Sequence, residues 1–110
     1  MKQYVIDELR PEDYRKLKVY LDKNFKSSDI DGIYWIRLQQ EILSDVQAGH
    51  TECQPFYIAI ELKPDIIVCE LLVRTKTRMR CECISYATEK QLSWIIKVMD
   101  GIFDKLEIIT

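Results

Sequence analysis

The segment from Phe56 to Tyr86 constrains the fold most, because its apolar side chains recur at every second position through three consecutive runs. Successive side chains of a β-strand point to opposite faces, so this period of two predicts strands. A two-residue turn at Pro64-Asp65 and a three-residue loop at Thr75-Lys76-Thr77 would join three antiparallel strands. A two-residue second loop would instead bury Arg80 and Glu82, and burying unpaired charge is costly. The sequence therefore predicts the three-residue loop.

The predicted register sorts the side chains of these strands into two different faces. It places Ile60 opposite Cys69, Phe56 opposite Val73, and Cys69 opposite Cys83. One face carries the apolar set Phe56, Ile58, Ile60, Leu62, Ile67, Cys69, Leu71, Val73, Met79, Cys81 and Cys83, together with Ser85. The other face mixes charged and apolar residues, namely Tyr57, Ala59, Glu61, Val68, Glu70, Leu72, Arg74, Arg78, Arg80, Glu82, Ile84 and Tyr86. Because one face is apolar, the register should be strongly specified.

Helices are predicted on both sides of these strands. Thr88 and Gln91 match a capping box, and apolar residues then recur at helical spacing over about 17 residues. Upstream, Pro11 occupies a position typical of the first helical turn, which predicts a helix over residues 11–24. Gln3 to Leu9 is a candidate short edge strand. These elements predict a single α+β domain over residues 1–110: a three-stranded antiparallel meander, with an N-terminal and a C-terminal helix packed on one face.

The segment from Lys26 to Gln54 is a long excursion between these elements, and such excursions are often functional. The apolar run from Ile33 to Ile36 predicts a strand or a buried extended segment. Arg37 to Leu43 has room for one or two helical turns. Ser44-Asp45-Val46-Gln47 matches a second capping box.

Composition excludes several classes of function. The chain has 110 residues, 47% of them hydrophobic, and a net charge of −2. No apolar run is long enough for a membrane span and no apolar leader follows Met1, so a cytoplasmic protein with no membrane partner is expected. The three glycines are too scattered for a phosphate-binding loop. His50 is the only histidine, and nothing near it suggests a catalytic triad. We therefore expect no enzyme and no cofactor.

The cysteines have three competing interpretations. Buried cysteine commonly packs as a small hydrophobe, and this is the favoured role. A metal site could instead be built from His50, Cys53, Cys81 and Cys83, which are ligand types that zinc prefers. Cys81 and Cys83 are two residues apart, and on a straight strand their Cα atoms would be roughly 6.5–7 Å apart. This spacing is too wide for two ligands of one zinc ion. The third interpretation is a redox pair between Cys69 and Cys83, which a cytoplasmic location disfavours.

A basic cluster occupies the predicted second hairpin. Arg74, Lys76, Arg78 and Arg80 fall within seven positions that contain no acidic residue. Such a cluster could bind phosphates, and nucleic acid is then a candidate partner. The alternative is a solvated tip that protects the hairpin from edge-to-edge aggregation.

The mixed face and the last helix carry candidate partner-binding residues. These are Tyr57, Leu72, Ile84, Tyr86 and Trp94, and aromatic side chains are enriched in interface cores. The leading hypothesis is a non-catalytic interaction module that forms a homodimer or binds a protein partner. The alternatives are an anion- or nucleic-acid-binding protein using residues 74–80, and a metal- or thiol-dependent protein using the His50 set. The order of helix, meander and helix, with an acidic pI, is similar to that of small dimeric secretion chaperones. This resemblance of fold implies a non-catalytic role.

Overall fold

The computed structural model describes residues 2–27, 30–75 and 83–109. It has an antiparallel sheet and three α-helices, so the predicted α+β class is confirmed. The strands are β1 (Gln3–Ile6), β2 (Lys26–Ser27), β3 (Ile33–Arg37), β4 (Phe56–Lys63), β5 (Ile66–Glu70), β6 (Leu72–Thr75) and β7 (Ser85–Tyr86). The helices are α1 (Pro11–Asn24), α2 (Asp45–Gly49) and α3 (Glu89–Lys105), with 3-10 turns at Gln40–Ile42 and Thr51–Cys53.

The helix boundaries follow from local capping chemistry. In α3 the Gln91 backbone N–H donates to the Thr88 hydroxyl, and the Gln91 side chain accepts from the Thr88 backbone N–H. Helix α1 begins at Pro11 as predicted, and the Asp13 carboxylate accepts from the backbone N–H and guanidinium of Arg10. The bond with Arg10 lowers the pKa of Asp13. Both predicted helices are confirmed at the predicted positions.

The sheet is larger than a three-stranded meander. Its strands run in the order β1-β5-β4-β3-β2, and β6 pairs with both β4 and β7. The apolar run that begins at Ile33 forms β3, which pairs antiparallel with β4. The candidate edge strand at Gln3 is confirmed as β1, which pairs with β5. Strand β4 is therefore central, and the predicted meander omitted β3, one of the three strands that pair with it.

The first predicted hairpin is correct near its turn and wrong further away. Lys63 pairs with Ile66 across Pro64-Asp65, and Ile60 pairs with Cys69 as predicted. Phe56, however, pairs with Thr75 instead of Val73. Between these two pairs the backbone advances by four residues on β4 and by six on the opposite strand. The two extra residues form a β-bulge that interrupts the second predicted strand at Leu71. Because the insertion is even, the alternation of faces survives, and Val73 is still buried.

The predicted register of the second hairpin is wrong. Val73 pairs with Ser85 and Leu72 with Tyr86, so the connection is longer than the predicted three residues. Cys69 does not face Cys83; it lies between Tyr4 of β1 and Ile60 of β4. The predicted strand positions at residues 76–82 lie outside the described residues. An alternating pattern indicates which face of the sheet each side chain lies on, but it does not determine the number of residues in the connecting loop.

The core lies between the sheet and its two long helices. Leu17 and Leu21 of α1 share one buried cluster with Ile95 and Met99 of α3 and with the core-facing residues of β3, β4 and β5. On the other face of the sheet, Ala59 and Val68 are buried, whereas Val5 remains 42% exposed. Among the described residues, no helix is both long and apolar enough to cross a membrane.

Candidate metal centre

Three potential metal ligands converge at the end of the sheet. Two of them come from residues 38–54, the part of the predicted excursion that follows β3, which we call the 38–54 excursion. One ligand atom each from His50, Cys53 and Cys83 can be chosen so that all three lie within 4.8 Å of one another. Both thiols are buried, and the imidazole is half-buried. Within the described part of the chain, this is the one group of three or more His, Cys, Asp or Glu side chains with such spacing.

The first two ligands are positioned by a helix that ends in a tight turn. The capping box of Ser44 and Gln47 starts α2, as predicted, and the backbone N–H of His50 donates to the carbonyls of Val46 and Gln47 at its end. A 3-10 turn follows, in which the Cys53 N–H donates to the His50 carbonyl at 3.0 Å. In a 3-10 turn, side chains three residues apart lie above one another. The imidazole and the thiol are therefore directed to the same side.

The third ligand is brought in from a distant part of the sequence. The Gln47 side-chain amide donates to the Cys83 carbonyl at 3.3 Å, just before β7 begins. From β6, the Thr75 hydroxyl donates to the Cys53 carbonyl. Each cysteine is thus held through its own backbone by a buried polar side chain. Such supporting contacts orient the ligands of a metal site.

Gln47 belongs to a small buried network that joins two helix starts. Its side-chain oxygen accepts from the Gln91 amide at 2.7 Å, and the same Gln91 amide also donates to the Ile42 carbonyl at 3.0 Å. Both glutamines have no exposed surface. Because buried polar groups need partners, this network fixes α2 against the start of α3. It thereby fixes the frame on which the three ligands are mounted.

The donor set suits a transition metal of zinc type. Zinc binds thiolate sulfur at about 2.3 Å and imidazole nitrogen at about 2.0–2.1 Å, so neighbouring ligand atoms are about 3.8 Å apart. The ligand atoms of His50, Cys53 and Cys83 lie within 4.8 Å of one another, a limit that includes this separation. None of Cys53, Cys69 and Cys83 forms a disulfide bond.

The geometric objection to this site assumed that Cys81 and Cys83 lie two residues apart on a straight strand. For Cys83 this assumption was wrong, because β7 begins only at Ser85. Cys83 instead lies in a turn, whose direction is not restricted to the strand repeat. The fourth predicted ligand, Cys81, lies outside the described residues.

The third cysteine among the described residues, Cys69, is not part of the candidate metal site. Cys69 is buried in the middle of the sheet, and burial raises its pKa to about 12. Its neighbours across the strands are Tyr4 and Ile60. The predicted register that placed Cys69 opposite Cys83 was therefore wrong, and it was the observation on which the redox-pair hypothesis rested.

Of the predicted anion-binding cluster, the structure describes only Arg74. Its guanidinium lies 3.0 Å from the Glu70 carboxylate in an ion pair on the mixed face of the sheet. Glu70 itself lies opposite Gln3 of β1. Lys76, Arg78 and Arg80 lie outside the described residues.

The five predicted partner-binding residues fall into three places. Tyr57 and Trp94 line one cavity of about 430 Å³ at the β3 edge, together with Trp35 and Val98. Leu72 and Tyr86 are neighbours on β6 and β7, and the Tyr86 ring lies 5.2 Å from the Lys2 ammonium. Ile84 packs against the core cluster.

Two side-chain contacts near the candidate sites were not predicted from the sequence. Trp35 makes an edge-to-face contact with Tyr57, at 6.3 Å between ring centroids, and it could have been suspected from its place in the apolar run. The pairing of Gln47 with Gln91 had no local signal, although each residue was identified as part of a capping box. Neither a scan of protein-family models nor searches of curated proteins and solved structures gave a match for this chain.

Proposed function

We propose that this protein is a non-catalytic metal-binding module that takes zinc through His50, Cys53 and Cys83. The convergence of these three ligand atoms within 4.8 Å carries the proposal. Two thiolates and one imidazole form a soft donor set, which selects zinc over magnesium or calcium. The cytoplasmic location expected from the sequence supports it, because thiols remain reduced there and available as ligands.

The proposed role of the ion is to join two distant parts of the fold. His50 and Cys53 lie at the end of the 38–54 excursion, whereas Cys83 directly precedes the last strand and helix α3. A bound ion would tie the excursion to the start of α3, beside the hydrogen bonds of Gln47 and Gln91. Metal binding that requires the folded arrangement adds its free energy to folding. Zinc would therefore stabilise this end of the molecule.

The test uses three matched cysteine variants. We expect the protein, purified without chelator, to hold one zinc per chain, and cobalt substitution to give the absorption bands of thiolate-bound cobalt. Removing one ligand in Cys53→Ala or Cys83→Ala should weaken zinc binding by at least about 100-fold, since the ligands act together. Cys69→Ala removes a buried thiol of the same kind outside the site and should leave zinc affinity unchanged. His50→Ala should behave as the ligand variants do.

The proposal fails if the purified protein holds much less than one zinc per chain and the cobalt-substituted protein lacks the absorption bands of thiolate-bound cobalt. It also fails if Cys69→Ala weakens binding as much as Cys53→Ala does, since the loss would then reflect general unfolding. Circular dichroism of each variant distinguishes loss of a ligand from general unfolding.

A second candidate function is self-association at the β3 edge. The cavity there is lined by Trp35, Tyr57 and Trp94 beside Arg37, which are the residue types that dominate interface energetics. The adjoining sheet face carries charges of both signs, including the pairs Glu70–Arg74 and Glu61–Lys63. A surface with both signs can pair with its own copy across a two-fold axis. A second copy of the chain is therefore the occupant we propose.

Sedimentation velocity tests this second candidate. A dimer is expected at micromolar concentrations, and Trp35→Ala should weaken it by about 10- to 30-fold, as truncating an interface anchor costs roughly 1–2 kcal/mol. Val19→Ser changes an exposed apolar residue of helix α1 that does not line this cavity, and it is the matched control. A monomer at all concentrations, or equal weakening by both variants, contradicts self-association through this cavity.

A further inference from the structure

A second surface, unrelated to the metal site, combines an apolar floor with a basic rim. It is a groove of about 520 Å³ that runs along α1 to the end of α3. Val19, Tyr20 and Leu106 supply its apolar surface, and Arg15, Lys16, Lys23 and Lys105 surround it. None of the described residues that line the groove is acidic. We call these seven residues the basic groove.

The floor of the basic groove lies outside the buried core, and of its three apolar residues Tyr20 and Leu106 pack against the core cluster. Helix α1 buries Leu17 and Leu21, whereas Val19 is 67% exposed. Tyr20 is half-buried, with its ring 6.2 Å from the Phe25 ring and 5.5 Å from the Lys105 ammonium. Valine is a weaker helix former than the lysine or glutamate usual at exposed positions. Helix packing therefore does not account for an apolar side chain at position 19.

Helix electrostatics explain only part of the rim. Lys23 and Lys105 lie in the last turns of their helices, where positive charge is favourable. Lys16 donates to the Leu106 carbonyl at the end of α3, at 3.2 Å. Arg15 lies in the first half of α1, far from the favourable end of that helix. Four cations are thus gathered around one apolar strip on a protein whose net charge is −2.

We propose that the basic groove docks an acidic amphipathic helix of a protein partner. Residues 15–23 span just over two turns of α1, about 12 Å at 1.5 Å per residue. A helix that presents apolar anchors at positions i, i+4 and i+7 covers a similar length, which is the usual form of helix-in-groove recognition. Glutamates flanking those anchors would face the basic rim.

The distribution of charge selects this occupant over a single-headed amphiphile. Along α1, Arg15 and Lys16 lie before the apolar residues of the floor and Lys23 lies after them, while Lys105 lies beside the Tyr20 ring. One carboxylate head could reach only one end, whereas a helix carries carboxylates along its whole length. The negative net charge of the protein opposes a general attraction to anionic membranes, so recognition must be local.

The experiment measures fluorescence anisotropy of a labelled helical peptide. The probe is a capped peptide of about 18 residues, with leucines at i, i+4 and i+7 and glutamates beside them. A second peptide replaces every glutamate by glutamine. We expect the acidic peptide to bind saturably and the glutamine peptide to bind at least about 10-fold more weakly, with affinity falling as salt screens the charges.

Matched variants locate the binding. Lys23→Gln/Lys105→Gln should weaken binding of the acidic peptide by about 10-fold or more, whereas Lys90→Gln/Lys97→Gln makes the same charge change outside the groove and should not. Val19→Asp should abolish binding while leaving the circular dichroism spectrum unchanged, because position 19 is exposed. Equal effects of the two lysine pairs, or equal binding of the two peptides, would overturn the proposal. So would vesicles of phosphatidylglycerol that bind with the same variant dependence while the peptide does not.

Discussion

Cys69 shows how a single residue can make the stability of this fold depend on pH. Its side chain is buried between β1 and β4, and this burial raises the pKa of the thiol from 9.0 to about 12. In the unfolded chain the thiol ionises near its ordinary pKa, so alkaline solution favours unfolding. The stabilising effect is fully present below pH 9 and decreases as the pH rises toward the folded pKa.

We predict that Cys69 makes the free energy of unfolding fall by about 1.4 kcal/mol between pH 8 and pH 10, since one pKa unit corresponds to about 1.36 kcal/mol. Denaturant titrations across this range, with a chelator and a reductant present, measure the slope. The Cys69→Val variant has no thiol proton to lose, so the decrease in its free energy of unfolding between pH 8 and pH 10 should be smaller by this amount. An unchanged slope in the variant would show that other groups are responsible.

At the scale of elements, the hydrogen bond between Gln47 and Gln91 joins the starts of α2 and α3. Each glutamine caps its own helix, and together they leave no unpaired amide between the two elements. Removing one leaves a buried donor or acceptor of the other without its partner, which costs about 1–3 kcal/mol. The two single losses should therefore not be independent.

We predict that Gln47→Leu and Gln91→Leu each lower the free energy of unfolding by about 2 kcal/mol, and that the double variant loses about 1 kcal/mol less than the sum. Chemical denaturation of the four proteins in this cycle measures the coupling. A second cycle that combines Gln47→Leu with Lys18→Met, on α1 with no shared partner, should be additive. Coupling of the same size in both cycles would mean that the glutamines do not interact directly.

At the scale of the whole molecule, local patterns predicted the elements better than they predicted their connections. The capping boxes at Thr88 and Ser44 and the helix start at Pro11 were correct, because each depends on a few adjacent residues. The pairing of Phe56 with Thr75 was not predicted, because the bulge at Leu71 depends on contacts with other strands. The Leu71 N–H donates to the Lys2 carbonyl, and its own carbonyl accepts from the Ala87 N–H.

The candidate metal site was predictable in its residues and unpredictable in its geometry. His50, Cys53 and Cys83 belong to the set that residue type and spacing suggested together with Cys81, although the sequence favoured core packing as the role of the cysteines. Their approach depends on the Gln47 bond to Cys83, which links residues 36 positions apart. The register error in the second hairpin made the same site look sterically unfavourable. Side-chain chemistry can be read locally, whereas the closing of a long loop depends on the whole sheet.

The placement of these three donors also sets an order of events during synthesis. His50 and Cys53 emerge from the ribosome before β4, β5 and β6, and Cys83 emerges after them. A nascent chain that ends before residue 83 would offer only two of the three described donors. The set is completed when the intervening hairpin has folded back and brought the two ends together. An ion captured here would therefore record that the central sheet is already in place.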